Sequence, residues 1–461
     1  MEQTTETNKM ADMPVKKLML AMGIPMNLSM MLQALYNIVD SAFVSNMATY
    51  GEESLNALTL AFPMQMLMVA IGIGTGVGTN ALLAKSLGQG DKEKASRVAG
   101  NAIFLAIIIY FIFLLFGLFG VRFYISTQTS NPLIYGLAVD YLRICCVVSP
   151  GIVFFAIFEK LLQAAGHSVY SMIAQIAGAL ANIVLDPILI YGLLGLPAIG
   201  IRGAAIATVI GQCLSWALAL IFHLKVNKDI SNQLKYIKPS GKIIKEIYSI
   251  GLPAIIAQAL MSVMTYGLNI IFVTVSESMV TAYGLYYKIQ QFILFAAFGL
   301  RDAITPVVSF SFGMRSKQRI RDGIKYGMLY TFIIMLAGTI IVEVFAGPFS
   351  KVFGLSGETQ TLCISAMRII SVSFIFAGAN IAFQGIFQAL EGGLESLIVS
   401  VCRQFLFVLP VAWLFAKLLG NSSDMRWVIW MTFPIAEILS AAIALGMMRR
   451  TRKKIAAIKE E

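Results

Sequence analysis

About twelve apolar stretches, each long enough to cross a lipid bilayer, run through this chain. Hydrocarbon offers no water to satisfy backbone N–H and C=O groups, so a spanning segment must be a helix or part of a closed barrel. Stretches of about 20 residues or more read as helices. The approximate spans are 18–46, 54–84, 97–120, 132–158, 168–192, 199–224, 247–274, 280–311, 324–346, 359–387, 394–417 and 425–448. Only 13% of the 461 residues are charged and 58% are hydrophobic, too little polar surface for a soluble chain of this size. The sequence therefore predicts an all-α polytopic membrane protein with twelve transmembrane helices.

The net charge of +11 invites a nucleic-acid reading, but its distribution points elsewhere. Lys and Arg gather in alternate loops: Lys16 and Lys17, Lys85 to Arg97, Lys225 to Lys245, Arg315 to Lys325, and Arg449 to Lys454. The connections between them, such as Ala48 to Ser54 and Ser276 to Met279, carry almost none. This positive-inside bias predicts both termini in the cytoplasm and no nucleic-acid partner. Residues 1–17 lack the basic front end and the cleavage site of a signal peptide. The basic tail, 449–461, reads as a stop-transfer segment, with contact to anionic lipid as the alternative. All five cysteines lie in apolar segments without metal or disulfide spacing and read as packing residues.

The long connection near the middle of the chain prompts a search for duplication. At an offset of 225 residues, Arg143-Ile144 answers Arg368-Ile369, Gln163-Ala164 answers Gln388-Ala389, and Ser171 answers Ser396. Gly88 at the end of the second span answers Gly313, and near the start of each half Ile24-Pro25 answers Leu252-Pro253 with a slip of three. Each half holds an even number of spans, so both enter from the same side. The expected architecture is two pseudo-symmetric six-helix bundles related by an axis along the membrane normal, with a cavity between them. The divisions are a tail 1–17, a first lobe 18–224, a linker 225–246, a second lobe 247–448 and a tail 449–461.

One stripe of the first span is polar. Ser29, Gln33, Tyr36, Asn37 and Asp40 recur at spacings of three and four and share a helical face. Lipid cannot satisfy such a stripe, and a carboxylate at membrane depth reads as functional. The fifth span carries Gln175, Gly178, Asn182 and Asp186 on one face, with Pro187 next to the acid. Proline gives no N–H to the carbonyl of Ile183, which is thereby freed near Asp186. The sixth span adds Thr208, Gln212 and Ser215. Converging stripes of carboxylate, carboxamide, hydroxyl and carbonyl oxygen suit a small hard cation. The same two acids suit a shared proton, titrating as a unit.

The second half lacks these acids: Leu268 or Thr265 stands for Asp40, and Val411 for Asp186. Its seventh span has its own polar face of Gln258, Ser262, Thr265, Tyr266 and Asn269. Lys288 is expected to face the cavity or pair with an acid, and Arg301 to pair with Asp302. Glu437 in the last span has no evident partner, and His167 and His223 stand isolated. Methionine is abundant, 24 residues, and thioethers adapt to varied ligand shapes. The run Gly72, Gly74, Gly76 and Gly78 has neither the strand nor the Lys-Ser/Thr of a phosphate loop and reads as close helix packing or local bending. The absence of a Walker motif, catalytic dyad or metal spacing argues against an ATPase or an intramembrane enzyme.

Six plus six spans, Pro25 fifteen residues before Asp40, the run Asn182-Ile183-Val184-Leu185-Asp186-Pro187-Ile188-Leu189-Ile190 and the following Gly203-Ala204-Ala205-Ile206-Ala207-Thr208 resemble the multidrug and toxic compound extrusion family. The resemblance covers essentially the whole chain and is closest to DinF-like and MepA-like bacterial members. It implies a secondary active antiporter in the bacterial cytoplasmic membrane. Such a protein exchanges H⁺ or Na⁺ for amphipathic, often cationic, organic compounds by alternating access, without a cofactor and as a functional monomer among lipids. Asp40, Asn182, Asp186 and Thr208 match the family's ion site in the first lobe, and these four are the metal ligands if the ion is Na⁺. Pro25 matches the proline at which span one bends, and Asp302 matches an acid of MepA-like members. The acids that other branches carry in spans seven and ten do not recur: Gln258, Gly378 and Asn380 stand there. The expected cavity lining is Gln33, Tyr36, Asn37, Met64, Gln175, Gln258, Met261, Tyr266, Lys288 and Asp302. A flippase for lipid-linked precursors or polysaccharides, of related architecture, is the alternative and calls for a more cationic cavity. A non-transporting scaffold would need no acids at mid-membrane depth.

Overall fold

The described spans are helical from end to end or broken once. The computed structural model describes residues 9–47, 50–352, 356–419 and 423–458, and no strand occurs among them. Ten helices are long and apolar enough to cross a bilayer, and two bent helix pairs bring the spans to twelve. In order, spans one to six are Val15–Ser45, Gly51–Gly88, Lys92–Ser126, the pair Pro132–Val147 and Pro150–Ala164, Ser168–Tyr191, and Ile201–Val226. Spans seven to twelve are Gly241–Val273, Glu277–Gly313, Lys317–Val352, the pair Gly357–Ser371 and Phe374–Ala389, Gly393–Leu418, and Met425–Ala456. The all-helical, twelve-span expectation holds. The side chains of Tyr36 and Asn37 lie outside the described residues.

Short polar side chains start several spans. Asp91 Oδ1 accepts from the Lys94 N–H at 2.8 Å, Asn131 Oδ1 from Leu133 at 2.9 Å, and Ser276 Oγ from Met279 at 3.1 Å. Each satisfies an N–H that has no partner inside its own helix. Helices also run past the apolar stretches into polar sequence, so the expected linker shortens to the segment between Val226 and Gly241. That segment is docked on span three. Asn101 Oδ1 accepts from the Ser240 N–H at 2.7 Å, and Ser96 Oγ from the Ser231 N–H at 2.8 Å. His223 is buried there, bonded to Asn227 at 2.8 Å and Asn232 at 2.9 Å.

The duplication is visible in detail. Spans two and eight end at the paired glycines Gly88 and Gly313. Spans four and ten both bend near the middle, by 44° and 53°. Pro150 follows the break in span four, but Phe374 follows it in span ten, so the bend belongs to the repeat and not to proline. Asn80 donates to the Lys160 carbonyl at 3.3 Å, and its counterpart Thr305 reaches the Gly385 carbonyl at 3.4 Å. At the same crossing the repeats exchange a cation for a glycine. A Cβ on Gly76 would lie 2.8 Å from Lys160 Cγ, and one on Gly385 would lie 2.9 Å from Arg301 Cγ.

By internal contact the chain divides into two compact units, Leu28–Ile255 and Met1–Asn27 with Ile256–Glu461. Compared with lobes drawn at 18–224 and 247–448, each unit takes the opening turns of the other half's first span. Glycines admit those turns. In the first unit a Cβ on Gly78 would meet the Ile247 carbonyl oxygen at 2.1 Å, and one on Gly74 would meet Ile255 Cγ1 at 2.3 Å. In the second unit a Cβ on Gly299, the counterpart of Gly74, would lie 2.7 Å from Asn27 Cα. Close helix packing is therefore the role of Gly74 and Gly78 in the span-two run.

Candidate functional site

Small residues bring the polar stripes of the first unit together. A Cβ on Gly178 would lie 2.4 Å from the Gly211 carbonyl oxygen, and one on Gly211 would lie 2.6 Å from that of Gly178. Spans five and six thus touch backbone to backbone, which carries Thr208 of span six to Asn182 of span five. Span one is tied to span five at two heights. Gln175 Nε2 donates to Gln33 Oε1 at 3.2 Å, and the Tyr191 hydroxyl donates to the Phe43 carbonyl at 2.7 Å. Asp40 lies between these ties in sequence, and its carboxyl is within hydrogen-bonding reach of Asp186.

The site is nearly dry. Asp186 has 0% of its surface exposed, Asn182 2%, Thr208 5% and Asp40 9%. The Asn182 amide fits in two orientations. In one, Nδ2 lies 3.4 Å from Asp186 Oδ1 and 3.3 Å from Thr208 Oγ1. In the other, Nδ2 donates to Asp186 Oδ2 at 3.1 Å and Oδ1 accepts from the Thr208 backbone N–H at 3.0 Å. The second gives both ends of the amide a shorter bond to a complementary group, and the hydrogen-bond network selects it. Asp40 Oδ1 is buried without a hydrogen-bond partner.

No lysine or arginine among the described residues pairs with either acid, and that sets them apart. Five acids are buried in the described chain: Asp40, Glu159, Asp186, Asp302 and Glu437. Asp302 is held by Arg301 at 2.8 Å and Glu437 by Arg403 at 2.6 Å. Glu159 is linked to Lys160 through Gln163, with bonds of 3.1 and 2.9 Å. Two buried carboxylates side by side without a countercharge are costly while both stay ionised. A proton shared between them relieves the cost. So does a small cation bound by the two carboxylates with Asn182 and Thr208 oxygens. No group of three or more His, Cys, Asp or Glu that could hold a metal occurs among the described residues, so a cation here would rely on neutral oxygens as well.

Sequence reasoning missed the neighbours on spans two and four. Gln65 Nε2 donates to the Tyr141 hydroxyl at 3.2 Å and approaches Cys145 Sγ at 3.6 Å, and Cys145 lies within electrostatic range of Asp40. They are too few on each span to give a stripe to detect. Glu437 proves to be partnered, by Arg403 and by Asn380 at 2.8 Å. Met64 and Met261 pack partly buried against apolar clusters. Gln258 is half-buried and Tyr266 is 71% exposed. Lys288 is exposed and forms no ion pair among the described residues, while Asp302 is buried with Arg301.

Known proteins share both the sequence pattern and the fold. The MatE family model matches residues 25–188 and again 253–414, each match opening on the proline of that half's first span. Multidrug export protein MepA of Staphylococcus haemolyticus is 25% identical over 439 residues, 95% of this chain and 94% of its own. MepA of Staphylococcus aureus (strain NCTC 8325) is 27% identical over 459 aligned residues, 96% of this chain and 95% of its own. The outward-facing conformation of a multidrug resistance MATE family transporter superposes over 100% of both chains with a TM-score of 0.90 at 26% identity. A MOP superfamily transporter from Pyrococcus furiosus does so with a TM-score of 0.89 at 27% identity. Two copies of one family model, on a twelve-span helical fold shared with these transporters, place the chain in the MatE family of multi-pass membrane transporters.

Proposed function

We propose that the chain is a multidrug exporter that exchanges H⁺ or Na⁺ for amphipathic, often cationic, organic compounds. The observation that carries this reading is the acid pair: of five buried acids in the described chain, only Asp40 and Asp186 lack a basic side chain directly paired or bridged to them. The names of the relatives, multidrug export proteins, support the substrate class. The basic loops support a cytoplasmic membrane location with both termini inside. The protein works as a monomer surrounded by lipid and takes no nucleic acid.

In the outward-facing form a cation enters between Asp40 and Asp186, with Asn182 and Thr208 completing the shell when the ion is Na⁺. Neutralised acids no longer repel one another, and span one repacks against span five. Pro25, which lacks the N–H for an interior helical bond, is the hinge. The repacked form binds substrate poorly and releases it outside. In the inward-facing form the ion leaves to the cytoplasm, the acids recover their charge and substrate binds again. The ion drives the exchange because it stabilises one form over the other. One elementary charge crossing about 100 mV supplies roughly 2.3 kcal/mol to that preference.

An efflux assay in drug-sensitive cells tests the reading, with Asp40→Asn and Asp186→Asn at matched expression. Each substitution keeps the volume and removes the charge, so each is expected to abolish gradient-driven efflux. Full activity in both variants removes the ion site from the mechanism.

A further inference from the structure

We infer that Arg403 is a built-in cation: its guanidinium permanently meets, between spans eleven and twelve, the charge requirement that the Asp40/Asp186 pair leaves open to an ion from solution. This rests on the reading of that pair as the exchangeable site.

The 225-residue register runs on into the last spans. Ile210, Leu214-Ser215 and Ala219-Leu220 answer Ile435, Leu439-Ser440 and Ala444-Leu445. In this register Arg403 stands at the position of Gly178, and Glu437 at that of Gln212. The first unit uses the place for a contact of bare backbones, Gly178 on Gly211. The second unit opens a π-helical turn there, Cys402–Leu406, and inserts an ion pair. Arg403 Nε donates to Glu437 Oε1 at 2.6 Å, with the two side chains 6% and 10% exposed. Asn380 Nδ2 donates to Glu437 Oε2 at 2.8 Å and to the Glu437 carbonyl at 3.0 Å. Each carboxylate oxygen therefore has a donor, and one donor carries a full charge.

Asn380 Oδ1, Gln404 Oε1 and Ser440 Oγ are buried on residues of this cluster and its flanks without partners. Arginine keeps its charge at any pH the cell meets, so the position never has to load or unload. Ion exchange is thereby confined to the first unit, one exchangeable site per transport cycle. Removing the arginine alone strands a buried carboxylate, whereas removing both charges does not.

The test uses the full-length protein in liposomes, with export of a fluorescent organic cation driven by an imposed proton or Na⁺ gradient. R403A is expected to lose roughly tenfold or more of the transport rate, because one buried charge is left unpaired. Millimolar guanidinium is expected to restore most of that rate. R403A/E437Q is expected to transport near the wild-type rate without guanidinium and to ignore its addition. Restoration by either route supports the tethered cation, and the double variant decides the matter if R403A does not fold. If R403A transports at the wild-type rate with unchanged cation dependence, the inference is overturned. It is also overturned if guanidinium has no effect and the double variant is as impaired as the single. D40N is assayed alongside and is expected to lose coupling with no response to guanidinium. Coupled transport by D40N counts against the first-unit ion site, whatever Arg403 does.

Discussion

Asn182 stands between an acid and a backbone donor, and its two ends do different work. In the favoured orientation it donates to Asp186 at 3.1 Å while its oxygen is held by the Thr208 N–H at 3.0 Å. Asn182→Ala removes both bonds and leaves Asp186 short of a donor in a dry site, a loss of about 1–3 kcal/mol. Thr208→Val takes away a hydroxyl but keeps the backbone N–H. Thermal unfolding in detergent is therefore expected to show a clear drop in Tm for Asn182→Ala and a small one for Thr208→Val. Equal drops would favour the orientation in which the amide donates to Thr208 Oγ1. Helical spacing alone put Asp186 four residues from Asn182 and made this part of the site legible. Glu437 was not legible, because Arg403 lies 34 positions away on another span, inside a π-helical turn that breaks the 100° phase of the helical wheel. Gln65, Tyr141 and Cys145 escaped notice because so few neutral groups, spread over two spans, form no stripe.

Spans five and six depend on glycine for their approach. A Cβ at Gly178 would fall 1.9 Å from Ser215 Oγ and 2.4 Å from a carbonyl, and a carbonyl cannot rotate away as a hydroxyl can. Gly178→Leu is expected to part the two helices, lower stability by about 1–3 kcal/mol and reduce transport more than folding, because it separates Asn182 from Thr208. Tm and efflux on the same preparation check this, and wild-type values in both contradict the packing account. At this scale the sequence gives the elements but not their ends. Hydropathy places span seven from residue 247, whereas the helix begins at Gly241, because lysines and Glu246 extend it beyond the apolar stretch. The bend in span ten has no proline to announce it, and only its repeat partner, span four, hints at it.

Across the whole molecule, duplication governs the frame and breaks down in the charges. The paired helix ends, bends and carbonyl hydrogen bonds follow one 225-residue register. The buried charges follow another logic: Lys160 faces Gly76 where Arg301 faces Gly385, and Arg403 stands where Gly178 does. The repeat was readable because identical residues recur at one offset, and the exchange of opening turns was not, since only contact shows it. The consequence for function is that, among the described residues, buried acid without a basic partner lies in one unit, at Asp40 and Asp186. Counter-transport by the purified protein in liposomes tests that claim most directly, with H⁺ and Na⁺ gradients imposed separately. Substrate is expected to move against whichever cation drives the wild type, and neither gradient is expected to drive the Asp40→Asn/Asp186→Asn protein. Gradient-driven transport by that doubly neutral protein, at the wild-type rate, would contradict the account.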